Sequence, residues 1–209
     1  MARTRPFEEH PNQYEDWFER NELVYASELQ AVRSQLPKKG KGVEIGVGSG
    51  RFAAPLGIGI GVEPARKMME IARDRGIEVI GGVAEALPFS DALFDFGLMV
   101  TSICFLDDVE VGLKEVSRVI RPNGSLVIGF IDRDSPLGKV YVNHRNESVF
   151  YKIATFYSVD EVVYYLKKAG FGDFRFSQTV FHDLKEIKDI EPAREGYGDG
   201  SFVVIRAIR

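Results

Sequence analysis

Three glycines at alternate positions, Gly46, Gly48 and Gly50, follow a short apolar run and a carboxylate, Glu44. Glycines clustered in this way let the backbone adopt positive φ angles or let another molecule approach closely. A second carboxylate, Glu63, follows 19 positions after Glu44, and we expect it at a partly exposed strand end. In βαβ folds that bind nucleosides, an acidic residue at about this distance accepts hydrogen bonds from the ribose hydroxyls. The pattern predicts a site for a nucleoside-containing ligand.

Three kinds of ligand suit a glycine loop, and the neighbouring residues separate them. The phosphate loop of nucleoside triphosphatases needs a lysine and a hydroxyl residue after its last glycine, where this chain has Arg51 and Phe52. A dinucleotide loop misses its third glycine here by one place, and its pyrophosphate would face the Glu44 carboxylate without an opposing base. S-adenosylmethionine has the nucleoside without phosphates, and a carboxylate attracts its amino group and sulfonium. The residues therefore favour S-adenosylmethionine.

Strands and helices alternate along the chain around this loop. The sequence predicts strands over residues 42–45, 58–63, 77–80, 94–100 and 125–131, with a turn at 121–124. It predicts helices over residues 14–36, 52–56, 64–75, 107–120 and 158–170, and an irregular stretch over 132–157. Asp107 with Glu110, and Ser158 with Glu161, have the spacing of a capping box at a helix start.

This alternation predicts an α/β fold made of βαβ units, a Rossmann-like doubly wound, mostly parallel sheet with helices on both faces. Two late strands, 174–181 and 202–208, have no regular helix between them, which predicts an antiparallel C-terminal edge hairpin. We expect a single domain over residues 1–209, with an N-terminal helical lid (1–40), a cofactor-binding core (41–131) and a substrate-side insertion with closing strands (132–209). In such sheets ligands bind beyond the carboxyl ends of the strands, which is where the glycine loop lies.

Composition narrows the class of protein and its surroundings. The chain is 44% hydrophobic and 28% charged, with a net charge of −4 and its acids and bases interspersed, which argues against a nucleic-acid-binding surface. The single cysteine, Cys104, cannot form an internal disulfide, so we expect a cytoplasmic protein. No apolar run approaches the roughly 20 residues that span a bilayer. No His, Cys and carboxylate cluster has the spacing of a metal site, and we expect no metal.

Four successive segments carry a family resemblance: "VEIGVGSGRF", "GVEPARKMMEIARDRG", "GVAEALPFSDALFD" and "LKEVSRVIRPNGSLVIG". In order and spacing they resemble the motifs of class I SAM-dependent methyltransferases, in particular small single-domain enzymes that act on diffusible substrates. The resemblance covers residues 43–129, and the flanking segments "YEDWFERNELVYASEL" and "GYGDGSFVVIRA" resemble the family's cofactor-covering helix and closing hairpin.

The resemblance implies a set of cofactor contacts. Glu44 and the three glycines Gly46, Gly48 and Gly50 would hold the amino-acid end of S-adenosylmethionine, and Glu63 would bind its ribose. The resemblance further implies Pro64 and Met68 beside the adenine, Ala84 and Glu85 near its edge, Thr101 in the loop after the fourth strand, and Tyr14 over the cofactor from the lid.

Two positions depart from the family pattern. Many relatives have an acidic residue that accepts the adenine 6-amino group, where this chain has Val83. Adenine recognition would then rest on the Ala84 amide and Glu85. Relatives often have a histidine after the fourth strand, and Phe105 stands at that position here. Any role of that histidine is absent.

Methyl transfer from a sulfonium needs positioning more than side-chain chemistry, because the donor is already activated. A general base is needed only if the acceptor loses a proton at or before transfer. The sequence leaves the catalytic residues unassigned, with Asp132, Tyr141 and His144 as weak candidates. Aromatic side chains that could line a pocket for an apolar or cationic acceptor are Phe150, Tyr151, Phe156, Tyr157, Tyr164 and Tyr165.

The sequence therefore predicts an enzyme that transfers a methyl group from S-adenosylmethionine to a small-molecule acceptor and releases S-adenosylhomocysteine. The acceptor atom, whether N, O, S or C, and the oligomeric state stay unassigned. Two alternatives remain open at this point, a nicotinamide-dependent oxidoreductase and a non-catalytic SAM-binding sensor or partner protein. We expect no nucleic-acid partner and no membrane association.

Overall fold

The computed structural model describes residues 3–209, in which eight strands form one sheet of order β3-β2-β1-β4-β5-β8-β6-β7. The strands are β1 (Gly42–Ile45), β2 (Ile60–Glu63), β3 (Glu78–Gly81), β4 (Phe94–Val100), β5 (Ile120–Ile131), β6 (Gly172–Thr179), β7 (Arg194–Glu195) and β8 (Phe202–Ile208). The first five are parallel, and β8 runs antiparallel between β5 and β6. The mostly parallel sheet and its antiparallel C-terminal pair confirm the predicted fold class.

Eight α-helices lie in the same described range. They are α1 (Arg5–Glu9), α2 (Pro11–Arg20), α3 (Glu22–Gln35), α4 (Ala53–Leu56), α5 (Arg66–Asp74), α6 (Val109–Val119), α7 (Pro136–Asn143) and α8 (Val159–Lys168). None of the helices formed by residues 3–209 is both long enough and apolar enough to cross a membrane.

Both faces of the sheet are covered by helices. On one face, side chains of α6 and α8 such as Leu166 pack with one set of strand residues, and on the other face α3 contributes residues such as Val32. Successive strand residues point to opposite faces, so Val204 of β8 belongs to one buried cluster and Ile205 to the other. This arrangement leaves the carboxyl ends of the parallel strands as the open edge where a site can form.

The N-terminal part of the chain forms separate helices where the sequence predicts a single helix over residues 14–36, and that prediction was wrong. Asn21 separates α2 from α3, because its backbone angles, φ −122° and ψ 41°, are not helical. Its side-chain amide donates to the Trp17 carbonyl at 2.8 Å. An extra helix, α1, precedes α2, which begins with Pro11. The apolar periodicity continues through the break because both helices bury side chains against the same surface, so the pattern alone does not reveal the break.

Three further boundaries differ from the sequence prediction. The stretch predicted as irregular contains α7, which begins at Pro136 with Ser135 as its N-cap. Strand β5 starts at Ile120, and the predicted turn at 121–124 forms a bulge within it, where Asn123 has φ 65°. The cap of α6 is the Asp108 side chain, not Asp107, because Asp108 accepts the amides of residues 110 and 111. The capping box of Ser158 and Glu161 at the start of α8 is confirmed.

Candidate functional site

The glycine loop leaves β1 with three positive φ angles, 71° at Gly46, 55° at Gly48 and 85° at Gly50. A Cβ atom on Gly46 would lie 2.6 Å from the Ser102 Cβ, and one on Gly48 would lie 3.1 Å from the Tyr14 hydroxyl. Both positions face the open strand ends, where backbone must come close to its neighbours. Gly50 instead packs inward, because a Cβ there would lie 2.4 Å from the Ile77 Cδ1.

Glu63 binds the glycine loop directly. Its two carboxylate oxygens accept hydrogen bonds from the Gly48 amide at 2.9 Å and the Ala65 amide at 2.8 Å. The side chain is buried, contrary to the expected partly exposed strand end. Burial raises the pKa of Glu63 to about 7, although both amides oppose that rise. Glu63 thus connects the end of β2 to the loop after β1.

Glu44 precedes the loop on β1, and it lines neither of the two cavities at this edge of the sheet. It is 2% exposed, the Ala53 amide bonds to its carboxylate, and within the described residues its Oε2 has no hydrogen-bond partner. Burial raises the pKa of Glu44 well above its usual range, and the nearby Glu63 carboxylate acts in the same direction. A carboxyl that holds its proton repels a pyrophosphate less, so the charge argument against a dinucleotide is weaker than the sequence indicates.

A cavity of about 110 Å³ lies at the carboxyl ends of β1, β2 and β4, and we call it the donor cavity. The predicted contacts that line it are Tyr14, Gly46, Gly48, Glu63, Pro64, Ala84, Glu85 and Thr101. Val83 and Phe105 line it as well. Glu44, Gly50 and Met68 do not line it, and all three are buried.

Residues of the N-terminal segment complete the donor cavity, and sequence reasoning missed them. Arg3, Thr4 and Phe7 line it, and Ser102 does so from the loop after β4. The Arg3 guanidinium donates to the Ile153 carbonyl at 2.8 Å. This hydrogen bond attaches the N-terminal segment to a residue that is distant in sequence. No local pattern marks these residues, because only the packing of α1 brings them over the strand ends.

The loops beside the donor cavity are held by backbone contacts. Thr101 has φ 49°, a left-handed conformation that is uncommon outside glycine, and it directly follows β4. The Ser102 hydroxyl donates to the Ile45 carbonyl at 2.9 Å. The Glu85 carboxylate accepts the amides of Asp107 at 2.7 Å and Asp108 at 3.1 Å, so it fastens two loops together.

An ion-pair network fastens α2 to the glycine loop. Glu15 accepts hydrogen bonds from the guanidinium of Arg51, at 2.6 Å, and from that of Arg75. Arg75 also donates to the Ser49 carbonyl at 2.5 Å. These hydrogen bonds keep the pKa of Glu15 below its usual value although burial opposes them. The network positions Tyr14, the preceding residue, over Gly48.

A larger cavity of about 390 Å³ adjoins the donor cavity, and we call it the aromatic cavity. The predicted aromatic residues that line it are Tyr141, Phe150, Tyr151, Phe156 and Tyr157. Tyr164 and Tyr165 do not line it, because α8 directs Tyr164 to solvent and packs Tyr165 against Tyr157. Four residues line both cavities, namely Phe7, Tyr14, Thr101 and Phe105.

Two of the three weak catalytic candidates lie away from both cavities. Asp132 is buried and accepts the Asp134 amide at 3.2 Å, and burial raises its pKa. His144 is exposed and contacts Glu147 at 3.0 Å. Tyr141 lines the aromatic cavity, with its ring centroid 4.5 Å from that of Tyr151.

Glu28 is a cavity residue that the sequence prediction missed. It lies on α3, is 4% exposed and lines the aromatic cavity. Its position carries a signal, because it stands three residues after Tyr25 and four before Val32, on the apolar stripe of the helix. A carboxylate on such a stripe indicates either a buried structural contact or a functional group.

Fold and site together define an α/β protein that binds a nucleoside-containing cofactor at the carboxyl ends of its strands. The described residues contain no group of three His, Cys, Asp or Glu placed to hold a metal ion. The family model of the methyltransferase domain matches residues 43–128. The chain belongs to the class I SAM-dependent methyltransferases, and it is an enzyme that uses S-adenosylmethionine as methyl donor and releases S-adenosylhomocysteine.

The similarity to other proteins covers nearly the whole chain. A SAM-dependent methyltransferase from Thermotoga maritima, named a possible histamine N-methyltransferase, is 52% identical, with a TM-score of 0.96 over 98% of this chain and 99% of that one. An uncharacterized protein from Methanocaldococcus jannaschii is 44% identical over 96% of this chain and 97% of its own length. An uncharacterized protein from Mycobacterium tuberculosis is 33% identical over 93% of this chain and 70% of its own length. None of these findings supports the nicotinamide alternative.

Proposed function

We propose that this enzyme methylates a small-molecule acceptor bound in the aromatic cavity. One observation carries the proposal: the donor and aromatic cavities adjoin and share lining residues on the lid, Phe7 and Tyr14, and after β4, Thr101 and Phe105. A methyl donor in the first cavity and an acceptor in the second would therefore meet at these side chains. Methyl transfer needs such a meeting point, because the acceptor must approach the methyl group in line.

The residues present suit S-adenosylmethionine. Each oxygen of Glu63 already accepts one amide, from Gly48 and Ala65, and a carboxylate offers about four acceptor sites. One site on each oxygen is left for a ribose hydroxyl, so Glu63 can bind the ribose without releasing the loop. Gly46 and Gly48 have no side chain to fill the space in front of the loop, which suits the amino-acid end of the cofactor.

The lid must move outward for the cofactor to enter. The donor cavity measures about 110 Å³, whereas sites for small ligands and cofactors are typically about 300 to 1,000 Å³. Phe7 occupies the boundary, with its ring 5.0 Å from Phe105 and 5.3 Å from Phe150. We propose that α1 moves aside with Phe7 while the Glu15 network holds α2 in place.

S-adenosylmethionine, when bound, supplies a methyl group activated by the sulfonium. The protein's task is then to hold the acceptor, exclude water and keep the nucleophile aligned, which can lower the barrier by roughly 7 to 11 kcal/mol. Aromatic rings suit a flat apolar body or a cation. The name of the similar Thermotoga protein, a possible histamine N-methyltransferase, supports an amine nitrogen as the acceptor atom.

The test is a turnover screen with methyl-labelled S-adenosylmethionine against small amines, phenols, thiols and carboxylic acids. We expect label to enter at least one class and S-adenosylhomocysteine to form in equal amount. Thermal stabilisation by S-adenosylhomocysteine, without added acceptor, verifies that the protein used is competent to bind the cofactor. Label that enters only protein or nucleic acid from a cell extract would contradict a small-molecule acceptor. The single cysteine supports a cytoplasmic location. The net charge of −4 supports a small diffusible acceptor over a nucleic acid.

The adenine edge gives a separate prediction, because Val83 lines the donor cavity where relatives have an acidic residue. The amides of Asp107 and Asp108 both donate to one Glu85 oxygen, Oε1, which leaves Oε2 as an acceptor for the adenine 6-amino group. Val83→Asp is expected to tighten S-adenosylhomocysteine by up to about 10-fold, through one added charge-assisted hydrogen bond. Isothermal titration measures the change.

The inosine analogue, which has a carbonyl in place of the 6-amino group, is the matched ligand for this test. Wild-type protein should tolerate the analogue far better than Val83→Asp, because the new carboxylate would face an acceptor. Titrating both proteins with both ligands gives a double-difference cycle. A coupling near zero would place Val83 away from the adenine edge.

A further inference from the structure

The aromatic cavity contains one buried carboxylate, that of Glu28. The side chain is 4% exposed, and its helix α3 directs it into the cavity. Within residues 3–209, no hydrogen bond or ion pair engages its oxygens. Neighbouring Ser27, by contrast, is fully paired, since its hydroxyl donates to the Leu23 carbonyl and accepts the Glu191 amide. Glu28 therefore has a buried acid group with no structural partner.

No neighbouring charge compensates this carboxylate. Arg20 is the other charged residue that lines the aromatic cavity, but it is exposed and its guanidinium donates to the Asp16 carbonyl at 3.1 Å. The phenols of Tyr141 and Tyr151 line the same cavity as Glu28, and both are neutral, because burial and, to a smaller extent, the charge of Glu28 raise their pKa. Burial also raises the pKa of Glu28 to about 8. Without a ligand Glu28 therefore holds its proton at neutral pH, and a buried acid group with no hydrogen-bond partner still destabilises a fold. A cationic ligand that pairs with the ionised carboxylate is a functional reason for keeping the group there.

We infer that Glu28 is the acceptor-binding carboxylate of this enzyme and that the acceptor is a protonated amine with an aromatic or apolar body. The inference rests on the proposed function, because it concerns the same cavity. Trp17, Phe150 and Phe156 line that cavity and offer ring faces to the body or to the ammonium group. A cation beside Glu28 favours the ionised carboxylate, so the charge pair forms as the amine enters.

The same residue accounts for the proton that amine methylation must remove. An ammonium ion has no lone pair, so it first gives one proton to the Glu28 carboxylate and becomes a neutral amine. The nitrogen lone pair then forms the N–C bond while the C–S bond breaks, and its electron pair stays on sulfur. The products are an N-methylammonium ion, S-adenosylhomocysteine and one proton, which Glu28 releases to water when the product leaves. A carboxylate with a raised pKa suits this exchange better than an ordinary glutamate.

The test compares Glu28→Gln with a matched control on the same helix, Glu22→Gln. Glutamine keeps the shape of the side chain and removes the charge, and Glu22 is exposed and lines neither cavity. The probes are histamine, 2-phenylethylamine and tryptamine, with the neutral alcohols 2-phenylethanol and tryptophol. Binding to protein saturated with S-adenosylhomocysteine is measured by calorimetry, and kcat/KM is measured with labelled S-adenosylmethionine.

Wild type and Glu22→Gln are expected to bind at least one amine more tightly than its alcohol. In Glu28→Gln the preference for the amine should fall by about 100-fold, as should kcat/KM for that amine. Affinity for S-adenosylhomocysteine should stay unchanged, which separates loss of the acceptor site from loss of fold. Unchanged amine binding in Glu28→Gln, or preferential binding of alcohols by wild type, would overturn the inference while leaving the proposed function intact. If the wider screen finds no small molecule methylated, the proposed function fails and the inference with it.

Discussion

Replacing Glu63 with alanine is expected to weaken the binding of S-adenosylhomocysteine by about 100-fold, because the variant lacks the carboxylate that we propose accepts two charge-assisted hydrogen bonds from the ribose. The variant also loses a hydrogen bond that holds the glycine loop, since Glu63 accepts the Gly48 amide at 2.9 Å. Stability should change little, because relief of a desolvated carboxylate opposes the loss of two amide hydrogen bonds. Isothermal titration gives the affinity, and thermal unfolding gives the stability.

Two further variants sharpen the test of Glu63. Glu63→Gln retains one acceptor oxygen and gains a donor, so we expect a loss of about 10-fold. Glu78→Ala is the matched control, because Glu78 is an exposed carboxylate on the adjacent strand β3 and lines neither cavity. Equal affinity in wild type and Glu63→Ala, with both proteins folded, would remove Glu63 from the ribose site.

Ligand-free protein is expected to lose stability as pH rises from about 5 to about 8. Buried Glu63 and Glu28 have their pKa raised from 4.5 to about 7 and about 8, and burial raises the pKa of Glu44 in the same direction. In this window the native state binds more protons than the unfolded chain, so the free energy of unfolding falls with pH. The expected fall is roughly 3 to 6 kcal/mol.

Denaturant unfolding at several pH values measures this fall, and variants assign it. Glu28→Gln should flatten the curve between pH 5 and pH 8, and Glu63→Gln should flatten it up to about pH 7. Carboxyls whose pKa is lowered by ion pairs, such as Glu15, contribute stability that is lost below pH 4.5, outside the window. Stability that is constant or rises between pH 5 and pH 8 would contradict the prediction.

The local parts of the site could be predicted from the sequence. The glycine loop and Glu63 are separated by one short helix and one strand, so their spacing fixes them at neighbouring strand ends. The cap of α8 could be predicted for the same reason, because Ser158 and Glu161 satisfy each other's backbone amides within one turn. Glycine loops, caps and strand periodicity depend on residues close in sequence.

Other parts of the site depend on residues that are distant in sequence. Arg3 and Phe7 line the donor cavity only because α1 packs across the strand ends, and Arg3 reaches Ile153 to do so. Apolar spacing gave no sign of the break at Asn21, because α2 and α3 bury the same kind of face. It also could not place Tyr164 outside the aromatic cavity, because the orientation of α8 decides which tyrosines face it, although the spacing did indicate that Tyr165 packs in the core.

Glu28 shows where the boundary between sequence and structure lies. Its position on the apolar stripe of α3 is a property of the sequence, and the stripe determines that the residue is turned inward. Whether an inward carboxylate finds a structural partner or an open cavity depends on side chains contributed by other elements, such as Tyr141 and Phe156. The sequence by itself determined the glycine loop and Glu63 of the proposed cofactor site, because hydrogen bonds and chain geometry between near neighbours build them, whereas Arg3 and Phe7 reach that site only through the packing of α1. The tertiary structure decided the aromatic cavity, our proposed acceptor site, because burial and charge there result from surfaces that meet only when the chain is folded.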